Sequence, residues 1–118
     1  MNYIDFEVNN KVYKLRLNTR NIVALEKALG CNPIAVFGLD ANNPTIPTVS
    51  AMVAILHASL QQYNHGITLN DAFDMFDDYV ADGHTPTDFI ETIMELYKVS
   101  GLIPKDEQEE KEIKEKNE

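Results

Sequence analysis

Each of the five glycines in this chain (Gly30, Gly38, Gly66, Gly83 and Gly101) follows a stretch whose apolar residues recur at helical spacing. Glycine reaches the left-handed backbone conformation that ends a helix without a steric penalty, so the chain divides itself. Helices are expected at about 19–29, 33–37, 47–64, 69–82 and 86–100. The starts carry matching signals. Asn18 or Thr19 can cap the first helix, and Asn32-Pro33 offers a cap followed by proline in the first turn. Thr68 with Asp71 resembles a capping box, and Thr85-Pro86-Thr87-Asp88 is a strong start. Residues 39–46, LDANNPTI, read as the clearest internal loop. No internal repeat is visible.

Ahead of the helices, residues 3–17 alternate as a strand pair does. Ile4, Phe6 and Val8 are interleaved with Asp5 and Glu7, and Asn9-Asn10 tolerate the positive φ that a two-residue hairpin turn needs. That turn sets Val8 against Lys11, Phe6 against Tyr13 and Ile4 against Leu15, with Asp5 opposite Lys14 on the other face. Two strands alone are marginally stable, so the apolar face must rest on helices. The expected fold is α+β and mostly α: an N-terminal β-hairpin on a compact bundle of four to five helices, one domain over residues 1–103. Residues 104–118 are nearly all charge, with Ile113 the only large apolar side chain among them, and read as a disordered tail.

Helix faces follow from periodicity. In the 47–64 helix, Val49, Met52, Val53, Leu56, Leu60 and Tyr63 form an inward stripe. Its other flank, Ala51, Ala54, Ile55 and Ala58, is small and apolar. A helix apolar nearly all round is either central in its bundle or meets a partner, and these four residues are the candidate partner surface. In the 69–82 helix, Leu69, Ala72, Phe73, Phe76 and Val80 are expected to face inward. In the 86–100 helix, Phe89, Ile90, Ile93, Leu96 and Tyr97 are.

The 118 residues leave room for one domain, and the net charge of −9 limits its partners. The tail contributes −3 and the body the rest. Phosphate backbones and anionic membranes bind proteins that neutralise them with Lys and Arg, so neither nucleic acid nor membrane is expected. A basic partner or one offering apolar surface fits better. With one cysteine, Cys31, no internal disulfide can form, and the N-terminus lacks the basic and apolar regions of a signal peptide. The stretch 49–60, broken by Ser50, His57 and Ser59, is too short and polar to span a bilayer.

No catalytic constellation is apparent. Asp71, Asp74, Asp78 and Asp82 share roughly one face of the 69–82 helix, with Asp77 nearby. Hard cations take oxygen ligands, but four carboxylates strung along one helix cannot converge on one ion. A solvated face, or one meeting a basic partner through Asp74 and Asp78, is the better expectation. His57, His65 and His84 make no metal-ligand spacing, Cys31 has no local cationic cluster, and no glycine-rich phosphate loop exists. Neither an enzymatic role nor a metal or cofactor is expected.

Two segments, VNNKVYKLRLNTRNIVALEKALGCNPIAVF and IPTVSAMVAILHASLQQYNHGITLNDAFDMFDDYVADG, resemble tail assembly chaperones of long-tailed phages and prophages of Gram-positive bacteria. The likeness covers about residues 3–103. It implies a protein that binds the tape-measure protein, keeps it soluble and recruits tail-tube subunits. Such a protein works in the host bacterial cytoplasm and is absent from the finished virion. Many such chaperones also have a longer frameshifted form, and the Lys-rich EKEIKEKNE end is where a slippery site could lie. Self-association would help a small core. The rival expectation, motivated by the aspartates, is an acidic inhibitor that mimics DNA or blocks a basic host protein.

Overall fold

The computed structural model describes residues 2–38, 40 and 42–105. The tail expectation for 104–118 therefore lies almost wholly outside the described residues. The chain opens with strands β1 (Ile4–Val8) and β2 (Lys11–Leu15), paired antiparallel. Helix α1 (Thr19–Leu29), a 3-10 helix (Pro33–Phe37), and helices α2 (Val49–Leu60), α3 (Leu69–Ala81) and α4 (Pro86–Val99) follow. The fold is α+β and mostly α.

The hairpin has the expected register, Ile4 opposite Leu15 and Phe6 opposite Tyr13. Asn9 and Asn10 sit at φ 54° and 61°, the conformation a primed two-residue turn requires. Phe6, Val8 and Leu15 are buried, as is Leu17 just beyond β2. The Phe6 ring lies 5.3 Å from that of Tyr79 and 5.7 Å from that of Phe89, while Phe76 is 5.5 Å from Phe89. Centroid separations and tilts of this kind are favourable for aromatic pairs. The hairpin's apolar face thus rests on an aromatic cluster supplied by α3 and α4.

Two hydrogen bonds fix the chain where it leaves the hairpin. Arg16 N–H donates to the Ser59 carbonyl of α2 at 3.0 Å, and Leu17 N–H to Ser100 Oγ, just past α4, at 2.9 Å.

Helix α2 is the centre of the bundle. Met52, Val53, Ile55, Leu56, Ala58, Ser59 and Leu60 are all buried, and it packs against β2, α1, α3 and α4. Of the two readings open for its small flank, centrality holds for Ile55, which is fully buried. The helix is shorter than its periodicity suggests. Thr48 caps it through a bond from Ala51 N–H, and it ends at Leu60 rather than near 64. The Gln61 side chain donates to the carbonyls of His57 and Ile67 at 3.0 and 2.7 Å, and Asn64 Nδ2 donates to the Lys14 carbonyl at 3.2 Å. These amides fold the chain into turns that tie α2 back to β2. Tyr63, expected on the inward stripe, is 42% exposed as a result, and Val49, also expected there, is 49% exposed in the first turn of the helix. Tyr63 instead lies edge-on to Tyr3 on the hairpin's outer face, beneath the Lys14 ammonium.

The other ends follow their local signals. Asn18, rather than Thr19, caps α1 by accepting from Asn21 N–H at 2.9 Å, and Gly30 (φ 73°) closes it by donating to the Glu26 carbonyl. Helices α3 and α4 both start with complete capping boxes, Thr68 with Asp71 and Thr85 with Asp88. No described helix is long and apolar enough to cross a membrane.

Candidate functional site

The face of α3 is rotated from the expected one. Ala72, Met75, Phe76 and Tyr79 are buried, a clean i, i+3, i+4, i+7 set. Leu69, Phe73 and Val80, expected inward, are 45%, 46% and 42% exposed. Apolar residues cover more than half of this helix's circumference, so periodicity alone does not choose the inner face. The aromatic cluster chooses it, because Phe76 and Tyr79 are the rings that reach Phe6 and Phe89.

The displaced residues have a structural consequence. Leu69 and Phe73 form one wall of an open groove of about 410 Å³ between α1, α2 and α3. Ala24 and Ala28 of α1 form the other wall, and Ala54 and Ala58 of α2 lie at its floor with His57 and Gln61. The alanines create the hollow, since a small side chain at a helix contact leaves space that a larger one would fill. One polar atom is stranded here: Asn21 Oδ1, on a residue lining the groove, is out of solvent with no hydrogen-bond partner among the described residues. Buried polar atoms are normally paired.

The candidate partner residues separate on this framework. Ala54 and Ala58 line the groove, Ala54 half-buried and Ala58 only 6% exposed. Ala51 is half-buried outside the groove lining. Ile55 is 0% exposed and beyond the reach of a partner, because it points into the core that α2 shares with its neighbours.

The acidic face also divides. Asp71 belongs to the α3 cap; its carboxyl is held below the ordinary range by hydrogen bonds from the Thr68 backbone and then the Thr68 hydroxyl. Asp78 accepts from Asn9 Nδ2 and Asp82 from Asn9 N–H, so both secure the hairpin turn to α3. Asp74 is exposed and has no hydrogen bond or ion pair with the described residues, and the same is true of Asp77. Sequence reasoning placed Asp78 on the partner surface because it could not see Asn9 arriving from 69 residues away.

Among the described residues, no group of three or more His, Cys, Asp or Glu is placed to hold a metal. His84 stacks on Tyr79, with ring centroids 4.3 Å apart and planes 6° from parallel, and lies 3.9 Å from the Asp88 carboxylate. His57 lines the groove, and Cys31 is exposed in the turn after α1. A second apolar hollow of about 500 Å³ lies between the 3-10 helix and α4, lined by Ile34, Phe37, Ile90, Met94 and Tyr97.

Architecture and surface together define a hairpin-braced helical domain with an apolar groove open to solvent. Residues 4–118 match the model of DUF6096, a family of unknown function, and the chain belongs to that family. No curated protein and no solved structure matches it.

Proposed function

We propose that this protein is a phage tail assembly chaperone. It binds the tape-measure protein in the cytoplasm of the host bacterium, keeps that long client soluble and recruits tail-tube subunits, and it is absent from the mature virion. It acts by binding and catalyses no reaction. The observation that carries this reading is the groove between α1, α2 and α3, where Leu69 and Phe73 stand nearly half exposed beside four alanines. Apolar side chains left open beside a hollow favour occupancy by an apolar ridge, as in helix-in-groove recognition. The net charge of −9 keeps such complexes soluble, and many weak sites along one client add by avidity. The resemblance of residues 3–103 to tail chaperones supplies the client.

Co-expression with the tape-measure protein of the same genome tests it. The expected result is a soluble complex with many chaperone copies per client. Phe73→Glu places a charge in the groove at an exposed position and should abolish co-purification while the variant stays folded. A folded Phe73→Glu protein that solubilises the client as well as the wild type would remove the groove from the mechanism. An insoluble client with no association would end the chaperone reading. Ile55→Glu has no place in this test, because a charge at a fully buried site would unfold the protein.

The inhibitor alternative draws on fewer free carboxylates than the sequence suggests. Asp71, Asp78 and Asp82 are engaged within the fold, which leaves Asp74 and Asp77 on that face.

A further inference from the structure

The two walls of the groove carry opposite charge. On α1, Arg20 lies four residues before Ala24 and Lys27 three residues after it, so helical geometry sets both cations on the exposed flank beside the groove-lining alanines. On α3, Asp77 follows Phe73 by four residues and Asp74 precedes Asp77 by three, so both carboxylates border the Leu69–Phe73 wall on its solvent side. All four residues are exposed. None makes an ion pair with the described residues, unlike His84–Asp88 and Lys98–Glu95. Opposed rows of unpaired charge flank a largely apolar groove.

We propose that the groove takes a single amphipathic helix carrying acidic side chains along one flank of its apolar ridge and basic side chains along the other, and that Arg20 and Lys27 against Asp74 and Asp77 set the direction in which it lies. The inference rests on the client-binding reading of the groove. A second copy presenting the same groove is a poor occupant, because two hollows face to face leave a void where close packing is needed. A helix ridge fills the hollow, and a donor on it could satisfy Asn21 Oδ1. A helix with exchanged flanks restores the charge match by lying the other way round. The walls therefore fix direction, while affinity depends on the partner having one flank of each sign.

Three model helices of about 20 residues, long enough to fold on docking, test this. All share one leucine ridge; one carries Glu on one flank and Lys on the other, one carries Glu on both, and one carries Lys on both. Binding to the full-length protein is read by fluorescence anisotropy in about 50 mM salt and again in about 0.5 M salt, where screening suppresses exposed charge pairs. The mixed helix is expected to bind about ten-fold more tightly than either control in low salt, and the gap should close in high salt. Arg20→Glu with Lys27→Glu makes both walls acidic at exposed positions and should transfer the preference to the all-Lys helix. A nitroxide at the N-terminus of the mixed helix should broaden amides at one end of α1 only.

If the all-Lys helix binds the wild type best, the protein answers to net charge and the wall assignment falls. Equal binding of all three, binding of none, or equal broadening at both ends of α1 also overturns it. Its failure is separable from that of the chaperone reading. A tape-measure protein that co-purifies while the three peptides rank equally leaves the client role standing and removes the wall assignment. The expected ranking without tape-measure association does the reverse.

Discussion

Helices α1 and α4 have comparable lengths, eleven and fourteen residues, and both begin at well-signalled caps, yet they are held very differently. Helix α4 buries Phe89, Ile93, Leu96 and Tyr97. Helix α1 buries only Leu25, with Ile22 and Leu29 partly covered, and presents Ala24 and Ala28 to the groove. Burying a large apolar side chain contributes roughly 1.5–3 kcal/mol, so α4 commits more apolar burial to the fold than α1. The lesson is functional. The bundle is braced on the side where α4 meets the hairpin and left lightly held on the side that forms a groove wall. Segments that bind tend to come from the low-stability end of a structure, and native-state hydrogen exchange should find α1 opening at lower free energy than α4.

The severest way to break the contrast is Phe89→Ala. Phe89 is 0% exposed and contacts the rings of Phe6, Phe76 and Tyr79, so its loss cuts α4 from the hairpin and from α3 together. A cost of about 3–5 kcal/mol is expected in urea unfolding, enough to unfold a domain of marginal stability. Leu25→Ala is the matching cut in α1. Its neighbourhood opens onto the groove and can relax or admit water, so about 2–3 kcal/mol is expected, at the low end for such a change. Equal costs at the two sites would show α1 to be as firmly braced as α4.

Tyr97→Phe sharpens the comparison with one atom. The phenol donates to the Pro33 carbonyl at 2.9 Å, and burial pushes its pKa well above the ordinary tyrosine value. Removing the hydroxyl deletes that tertiary bond, and the carbonyl keeps only its bond within the 3-10 helix, so a cost of about 0.5–1.5 kcal/mol is expected. The 3-10 helix is what this bond secures to α4, together with the Phe37–Tyr97 edge contact at 6.2 Å. Increased exchange or proteolysis confined to residues near 33–37 should accompany the loss. A uniform change over the chain would argue against so local a role.

The features legible in the sequence are those set by local chemistry. The hairpin register follows from a side-chain period of two and from Asn9-Asn10, which together leave one register that buries Phe6, Val8 and Leu15. The starts of α3 and α4 follow from capping boxes contained within four residues. Whatever required a distant neighbour was not legible. The α3 face depended on rings from β1 and α4, the early end of α2 on Asn64 reaching Lys14, and the fate of Asp78 on Asn9. The groove was visible only in part. Ala54 and Ala58 could be read as a small apolar flank, but Ala24, Ala28, Leu69 and Phe73 join them only after three helices are docked.

The smallest expected effect concerns the start of α3, which carries the Leu69–Phe73 wall. The Asp71 carboxylate accepts from Thr68 N–H at 2.9 Å, and that bond, followed by the Thr68 hydroxyl, lowers its pKa from the ordinary value of about 4. A carboxyl depressed in the folded state contributes stability that is fully present above its unfolded pKa and is lost as pH falls through the folded one. Asp71→Asn should therefore lower the melting temperature slightly at neutral pH, with the difference from wild type shrinking as pH drops below about 4. Because the side chain is exposed, the loss should be a fraying of the first turn rather than global unfolding. Leu69 and Phe73 lie within or just after that turn, so helix docking in the groove should weaken in the same variant and over the same acidic range. A melting difference that stays constant from neutral to acidic pH would mean that the Asp71 charge does not support the cap. A stability change without a change in docking would separate the first turn of α3 from the groove wall.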